Sequence, residues 1–133
     1  MPLFNELSIN GSGLHAYRKW MDAISDNIAN INTTSATNED AFRERFVQVQ
    51  SANVNRTGGG VVVNQIRYGS GEGRIVNQPE NPIADAEGNV KLPNIDLASQ
   101  MTSLIVAQRA YQANVQAIER ARNAYQQALT LGK

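Results

Sequence analysis

The chain has 133 residues, with twelve acidic and twelve basic side chains, one histidine and no cysteine. That length suits one domain with a modest core, and zero net charge argues against a general nucleic-acid binder or a polybasic membrane anchor. Without cysteine there are no disulfides, thiolate nucleophiles or Cys-based zinc sites, and a lone histidine builds no metal cluster. The excess lies in amides: fifteen Asn and ten Gln stand against eight aromatics. Such a composition disfavours catalysis and favours assembly or binding.

The opening residues Met1–Glu6 carry no basic region and no apolar stretch follows, so a cleaved signal is not expected. The longest purely apolar run, Val61-Val62-Val63, is far too short to span a bilayer, and no direct membrane insertion is expected. By composition and period the chain divides into 1–35, an N-terminal helical segment; 36–96, a Gly/Pro-rich middle with short strands; and 97–133, a long C-terminal helix.

In the first segment Leu14, Tyr17, Met21, Ile24, Ile28 and Ile31 alternate spacings of three and four. That is a seam of period 3.5, the pattern that winds a helix around a partner. The helix should stop near Asn32-Thr33-Thr34-Ser35, whose side chains compete for backbone hydrogen bonds.

The middle segment predicts one or two small hairpins. Phe46–Gln50 alternates weakly, Val61–Ile66 is strand-prone by β-branching, and Gly58-Gly59-Gly60 between them marks a turn. Glu80-Asn81-Pro82 and Glu87-Gly88-Asn89 are further turn signals. Gly69-Ser70-Gly71-Glu72-Gly73-Arg74 resembles a phosphate-cradling loop, but its third glycine comes one residue early and no helix can follow; a hairpin turn is expected there. Glu39, Asp40 and Glu44 lack the spacing and glycine of a calcium loop and read as a solvated acidic loop. His15 has no triad partner, and Trp20 and the tyrosines read as packing residues because no basic stripe accompanies them.

In the third segment Leu97, Met101, Leu104, Gln108, Tyr111, Val115, Ile118, Arg122, Tyr125 and Leu129 again alternate four and three, with Gln108 and Arg122 interrupting the seam. Beside it runs a stripe of Ala110, Ala113, Ala117, Ala121, Ala124 and Ala128. The expectation is that the seam packs within the chain while the alanine stripe and amides face neighbours. A helix over 97–131 would span roughly 50 Å, against roughly 36 Å for the diameter of a compact chain of this size. An elongated molecule follows, with faces left for other subunits. Charge is also uneven: residues 1–35 carry three acids and two bases, 36–96 eight and six, and 97–133 one and four.

Certain residues resemble a known family. Gly11-Ser12-Gly13-Leu14 and Met21–Thr34, with the core Ser25-Asp26-Asn27-Ile28-Ala29-Asn30-Ile31-Asn32-Thr33-Thr34, resemble the amino-terminal motif of bacterial flagellar axial proteins. Asn81–Asp96, Ala107–Val115 with Arg109, Tyr111 and Asn114, and Leu129–Lys133 are similar to the corresponding parts of its proximal rod members. Asn89 stands where the family usually has an aromatic, and residues 35–57 match poorly. The resemblance implies a structural subunit of the flagellar proximal rod, in the periplasm, exported uncleaved by the flagellar type III apparatus. Copies of the chain and other rod proteins would form a helical oligomer that transmits torque, with no cofactor, metal or catalytic residue. It also implies a mainly α fold, in which the two terminal helices pair as an elongated coiled coil around a small hairpin-containing middle. The site residues are then Leu14, Tyr17, Met21, Ile24, Asn27, Ile28, Asn30, Ile31, Asn32 and Thr33 on the first helix and its end. On the second they are Met101, Leu104, Arg109, Tyr111, Asn114, Val115, Ile118, Tyr125 and Leu129. The competing reading is an adapter or secreted helical interaction protein outside the flagellum.

Overall fold

A computed structural model of the chain describes residues 2–52 and 59–132, and side chains from Asn5 onward within that range. The proposed turn at Gly58-Gly59-Gly60 therefore lies partly outside the described residues. Two long helices bracket four short strands. They are α1 (Pro2–Ala29), β1 (Arg45–Ser51), β2 (Val61–Tyr68), β3 (Arg74–Asn77), β4 (Asn89–Leu92) and α2 (Leu97–Leu131). The fold is mainly α with a two-sheet β region in the middle, as expected. None of the described helices is long and apolar enough to cross a membrane.

Helix α1 ends at Ala29, three residues before the expected stop at Asn32–Ser35. The Asn30 side chain donates to Asp26 O at 2.8 Å and the Asn30 backbone donates to the same carbonyl at 3.1 Å, which satisfies a helix-terminal acceptor. Asp96 caps α2, its carboxylate accepting from Ser99 N at 2.9 Å.

Strands β1 and β2 form one two-stranded sheet and β3 and β4 another. In the second, antiparallel pairing runs from Arg74 opposite Leu92 to Asn77 opposite Asn89. The glycine loop expected to turn a hairpin instead connects the two sheets, because β2 and β3 are not paired. Gly73 in that loop has φ of 61°, and a Cβ there would lie 2.7 Å from Ala41 Cβ and against Leu92 O. Only glycine fits that backbone without strain.

Contacts divide the chain into two compact units. The first comprises Met1–Met21, Val47–Gln65 and Ile105–Lys133; the second comprises Asp22–Phe46 and Ile66–Leu104. The first has a thin core of small residues, with Gly13, Ala16 and Ala107 buried. The second holds Ala23, Ile24, Ala41, Val90 and Leu92, and also buries the polar side chains of Asn27 and Gln100.

Candidate assembly surfaces

The amides of the N-terminal motif are used inside the second unit. Asn27 is 1 % exposed, and its Nδ2 donates to Arg45 O at 3.0 Å and to Gln100 Oε1 at 3.1 Å. Its Oδ1 accepts from Arg45 N at 2.8 Å. One carboxamide thus holds the first residue of β1 through both backbone groups, as a neighbouring strand would, and reaches α2 as well. Gln100 passes the connection on, donating from Nε2 to Glu44 Oε1 at 2.6 Å. The guanidinium of Arg45 pairs with Asp26 and lies 5.7 Å over the Phe42 ring. Glu44, expected in a solvated acidic loop, is half-buried in this network, whereas Glu39 and Asp40 are exposed.

The rest of the motif carries the chain from α1 to the second sheet. Thr33 donates to Asn30 Oδ1 at 3.1 Å, and Asn81 Nδ2 donates to Thr34 Oγ1 at 3.4 Å. Ser35 and Lys91 exchange both backbone hydrogen bonds at 2.9 Å, extending the β4 edge by one bridge. Beyond it Asp85 organises the β3–β4 connection. Its Oδ1 accepts from Asn89 N at 2.8 Å and Glu87 N at 3.1 Å, and its Oδ2 accepts from Thr37 Oγ1 at 3.1 Å. The Asn89 backbone bond, with smaller contributions from the others, holds the Asp85 carboxyl below its ordinary pKa although partial burial opposes the shift.

In the first unit α1 meets β2 and α2 through small residues. Ser12 Oγ accepts from Val61 N at 3.0 Å and donates to Ile9 O at 2.7 Å. A Cβ on Gly13 would lie 3.1 Å from Asn114 Oδ1, so the missing side chain lets the Asn114 carboxamide pack closely against the α1 backbone. Asn114 is itself fixed, donating to Ala110 O at 2.8 Å. Tyr17 and Trp20 lie with ring centroids 6.3 Å apart and, with Ala16, Val47, Val49 and Val61, line an apolar groove of about 310 Å³.

The sequence seams lie as follows. On α1, Ile24 and Asn27 are buried, and Leu14, Tyr17, Met21 and Ile28 are half-buried; His15 is exposed. Past the helix end Asn30 and Ile31 are half-buried while Asn32 and Thr33 are exposed. On α2, Leu104, Tyr111, Asn114, Val115 and Ile118 are half-buried, whereas Arg109 is exposed and Met101, Tyr125 and Leu129 are 53 %, 46 % and 56 % exposed. The covered line on α2 runs through 100, 104, 107, 111, 114, 118 and 121. It keeps the heptad period and shares Leu104, Tyr111 and Ile118 with the expected seam. The alternate positions are Gln100, Ala107 and Ala121 in place of Met101, Gln108 and Arg122, while Asn114 and Val115 are both half-buried. The expected alanine stripe divides: Ala113, Ala124 and Ala128 are exposed, whereas Ala110, Ala117 and Ala121 are half-buried, and Ala107, outside the stripe, is fully buried. Small side chains let elements approach closely, and large exposed ones are left on the outer face.

Sequence reasoning missed Gln100, Glu44 and Arg45. Only the unusual run of amides signalled that some carboxamide would be buried. Among the described residues no group of three or more His, Asp or Glu side chains converges as metal ligands do.

The two ends of the chain match family models of flagellar rod proteins. Residues 7–37 match the model described as flagella basal body rod protein, and residues 86–131 match flagellar basal body rod FlgEFG protein C-terminal. These models define the class, a flagellar axial rod protein. Along its whole length the chain is similar to flagellar basal-body rod protein FlgC. It is 36 % identical to that of Yersinia enterocolitica, 35 % to that of Salmonella typhimurium and 32 % to that of Bacillus subtilis, with all of both chains covered in each case. The chain belongs to the FlgC family of structural flagellar basal-body rod proteins.

Proposed function

We propose that the chain works in the proximal rod, within the periplasm, as a subunit of a helical array built from copies of itself and other rod proteins, to which it is exported uncleaved through the flagellar type III apparatus. In that array the terminal helices pair as a coiled coil, and rotation is passed from rotor to hook by contacts that resist slip. The observation that carries this reading is the apolar surface α2 presents to solvent. In the second unit it exposes Leu97 and Met101; in the first it exposes Ile105, Val106, Tyr125 and Leu129. Large apolar side chains in such numbers on one helix signal a partner, and burying each contributes about 1.5–3 kcal/mol.

The test separates folding from assembly. Met101→Glu removes an exposed apolar contact and is expected to change the stability of the isolated chain by less than about 0.5 kcal/mol. In cells lacking the native rod protein, it is expected to abolish recovery of the chain in purified basal bodies and to abolish swimming, where the unaltered chain restores both. Full incorporation of Met101→Glu would remove this face from the assembly surface.

A further inference from the structure

Net neutrality conceals an opposition between the two units. Side chains of the first comprise two acids, Glu6 and Glu119, and seven bases, a net charge of +5. Those of the second comprise ten acids and five bases, a net charge of −5. Opposite charge on two surfaces of one chain is the kind of complementarity that steers association between copies.

Each unit also has a surface where charge and apolar area coincide. In the first, every residue of α2 from Arg122 to Leu131 is exposed. Arg122, Tyr125 and Leu129 follow at spacings of three and four, so they share one face of the helix. In the second, a groove of about 290 Å³ is lined by Phe42, Phe46 and Ile95 together with Glu44 and Glu72. Phe46 is 48 % exposed. The Glu72 side chain is exposed at the mouth, and exposed Asp40 lies against the same loop, where a Cβ on Gly71 would meet its Cγ at 2.7 Å. Two bases beside the groove are already engaged: Arg43 Nε donates to Gly69 O at 2.9 Å with its guanidinium 5.7 Å over the Tyr68 ring, and Lys91 Nζ donates to Glu39 O at 2.7 Å. The groove therefore offers apolar walls and the exposed carboxylate of Glu72, and the end of α2 offers apolar side chains flanked by the exposed guanidinium of Arg122.

We infer that the groove between Phe42, Phe46 and Ile95 receives the last turns of α2 from a second copy of the chain, with Tyr125 and Leu129 against its walls and Arg122 facing Glu72. The donor and acceptor surfaces differ, so the contact is head-to-tail and propagates instead of closing. This inference rests on the rod-subunit reading and names one contact within it.

A charge exchange tests it. Arg122→Glu and Glu72→Arg are both exposed substitutions, and each is expected to lower incorporation of the chain into basal bodies roughly tenfold by opposing like charges. The double variant Arg122→Glu/Glu72→Arg is expected to recover incorporation to near the unaltered level. Folding of all three is checked by circular dichroism, so that loss of incorporation is read only from folded chains. Full incorporation of either single variant, or a double variant no better than the singles, would overturn the contact. Either result leaves the rod role standing, because that role fails only if the unaltered chain is absent from basal bodies. The chain has no cysteine, which allows an independent check. Glu72→Cys/Arg122→Cys is expected to give covalent multimers on mild oxidation of assembled rods, and oxidised rods that contain monomer alone would count against the contact.

Discussion

Asn27 shows how much one side chain can hold. Its carboxamide makes three hydrogen bonds, to the Arg45 amide, the Arg45 carbonyl and Gln100, and it is almost wholly buried. Asn27→Leu would bury those partners without replacements, and each stranded buried group costs about 1–3 kcal/mol. A loss of at least 2–4 kcal/mol is therefore expected, roughly the upper range for a point substitution, read from chemical denaturation followed by circular dichroism. Two glycines supply the contrasting case. Gly11 lies within α1 and a Cβ there meets nothing, so Gly11→Ala is expected to stabilise the chain by up to about 1 kcal/mol. Gly73→Ala would force a side chain into a left-handed backbone beside Ala41 and Leu92 and is expected to destabilise it by 1 kcal/mol or more, on the order of 1–3. Thermal melts of the two variants should shift in opposite directions. The motif containing Asn27 was legible in the sequence as a family signature. Its role as a strand-like clamp was not, because nothing local in the sequence names Arg45 or Gln100 as its partners.

At the level of elements, the seams show where periodicity stops being informative. The covered line of α2 has a heptad period, and it shares Leu104, Tyr111 and Ile118 with the expected seam. What separated them was the character of the other positions: one line included Gln108 and Arg122, the other Ala107 and Ala121. Small residues let a helix approach its neighbour, and the interrupting polar residues marked the less covered line. The same weakness left β3 and β4 unassigned, since four-residue strands carry little pattern and their pairing depends on the distant Asp85 turn. That turn yields a pH test. The folded-state pKa of Asp85 lies below its ordinary 3.8, so its contribution is complete above that value and is lost as pH falls through the folded pKa. Acid-unfolding curves of the native chain and Asp85→Asn are expected to differ above about pH 3.8 and to converge below it. Curves that stay parallel to lower pH would remove the carboxylate from the turn.

For the molecule as a whole, the two packed units interleave along the chain. The second is assembled from Asp22–Phe46 and Ile66–Leu104; the first needs three stretches, the last of them Ile105–Lys133. Composition could not reveal this division, because the helical ends and the glycine-rich middle each contribute to both units. An order of completion follows for any chain delivered amino end first, whether from a ribosome or through a narrow conduit. Every residue of the second unit has emerged once Leu104 is out, so the Asn27–Gln100–Glu44 network can close while the remaining residues are still in transit. The first unit must wait for the final stretch. A growing structure fed in this way would receive subunits whose acidic half is finished first and whose basic half becomes complete only at the moment of release.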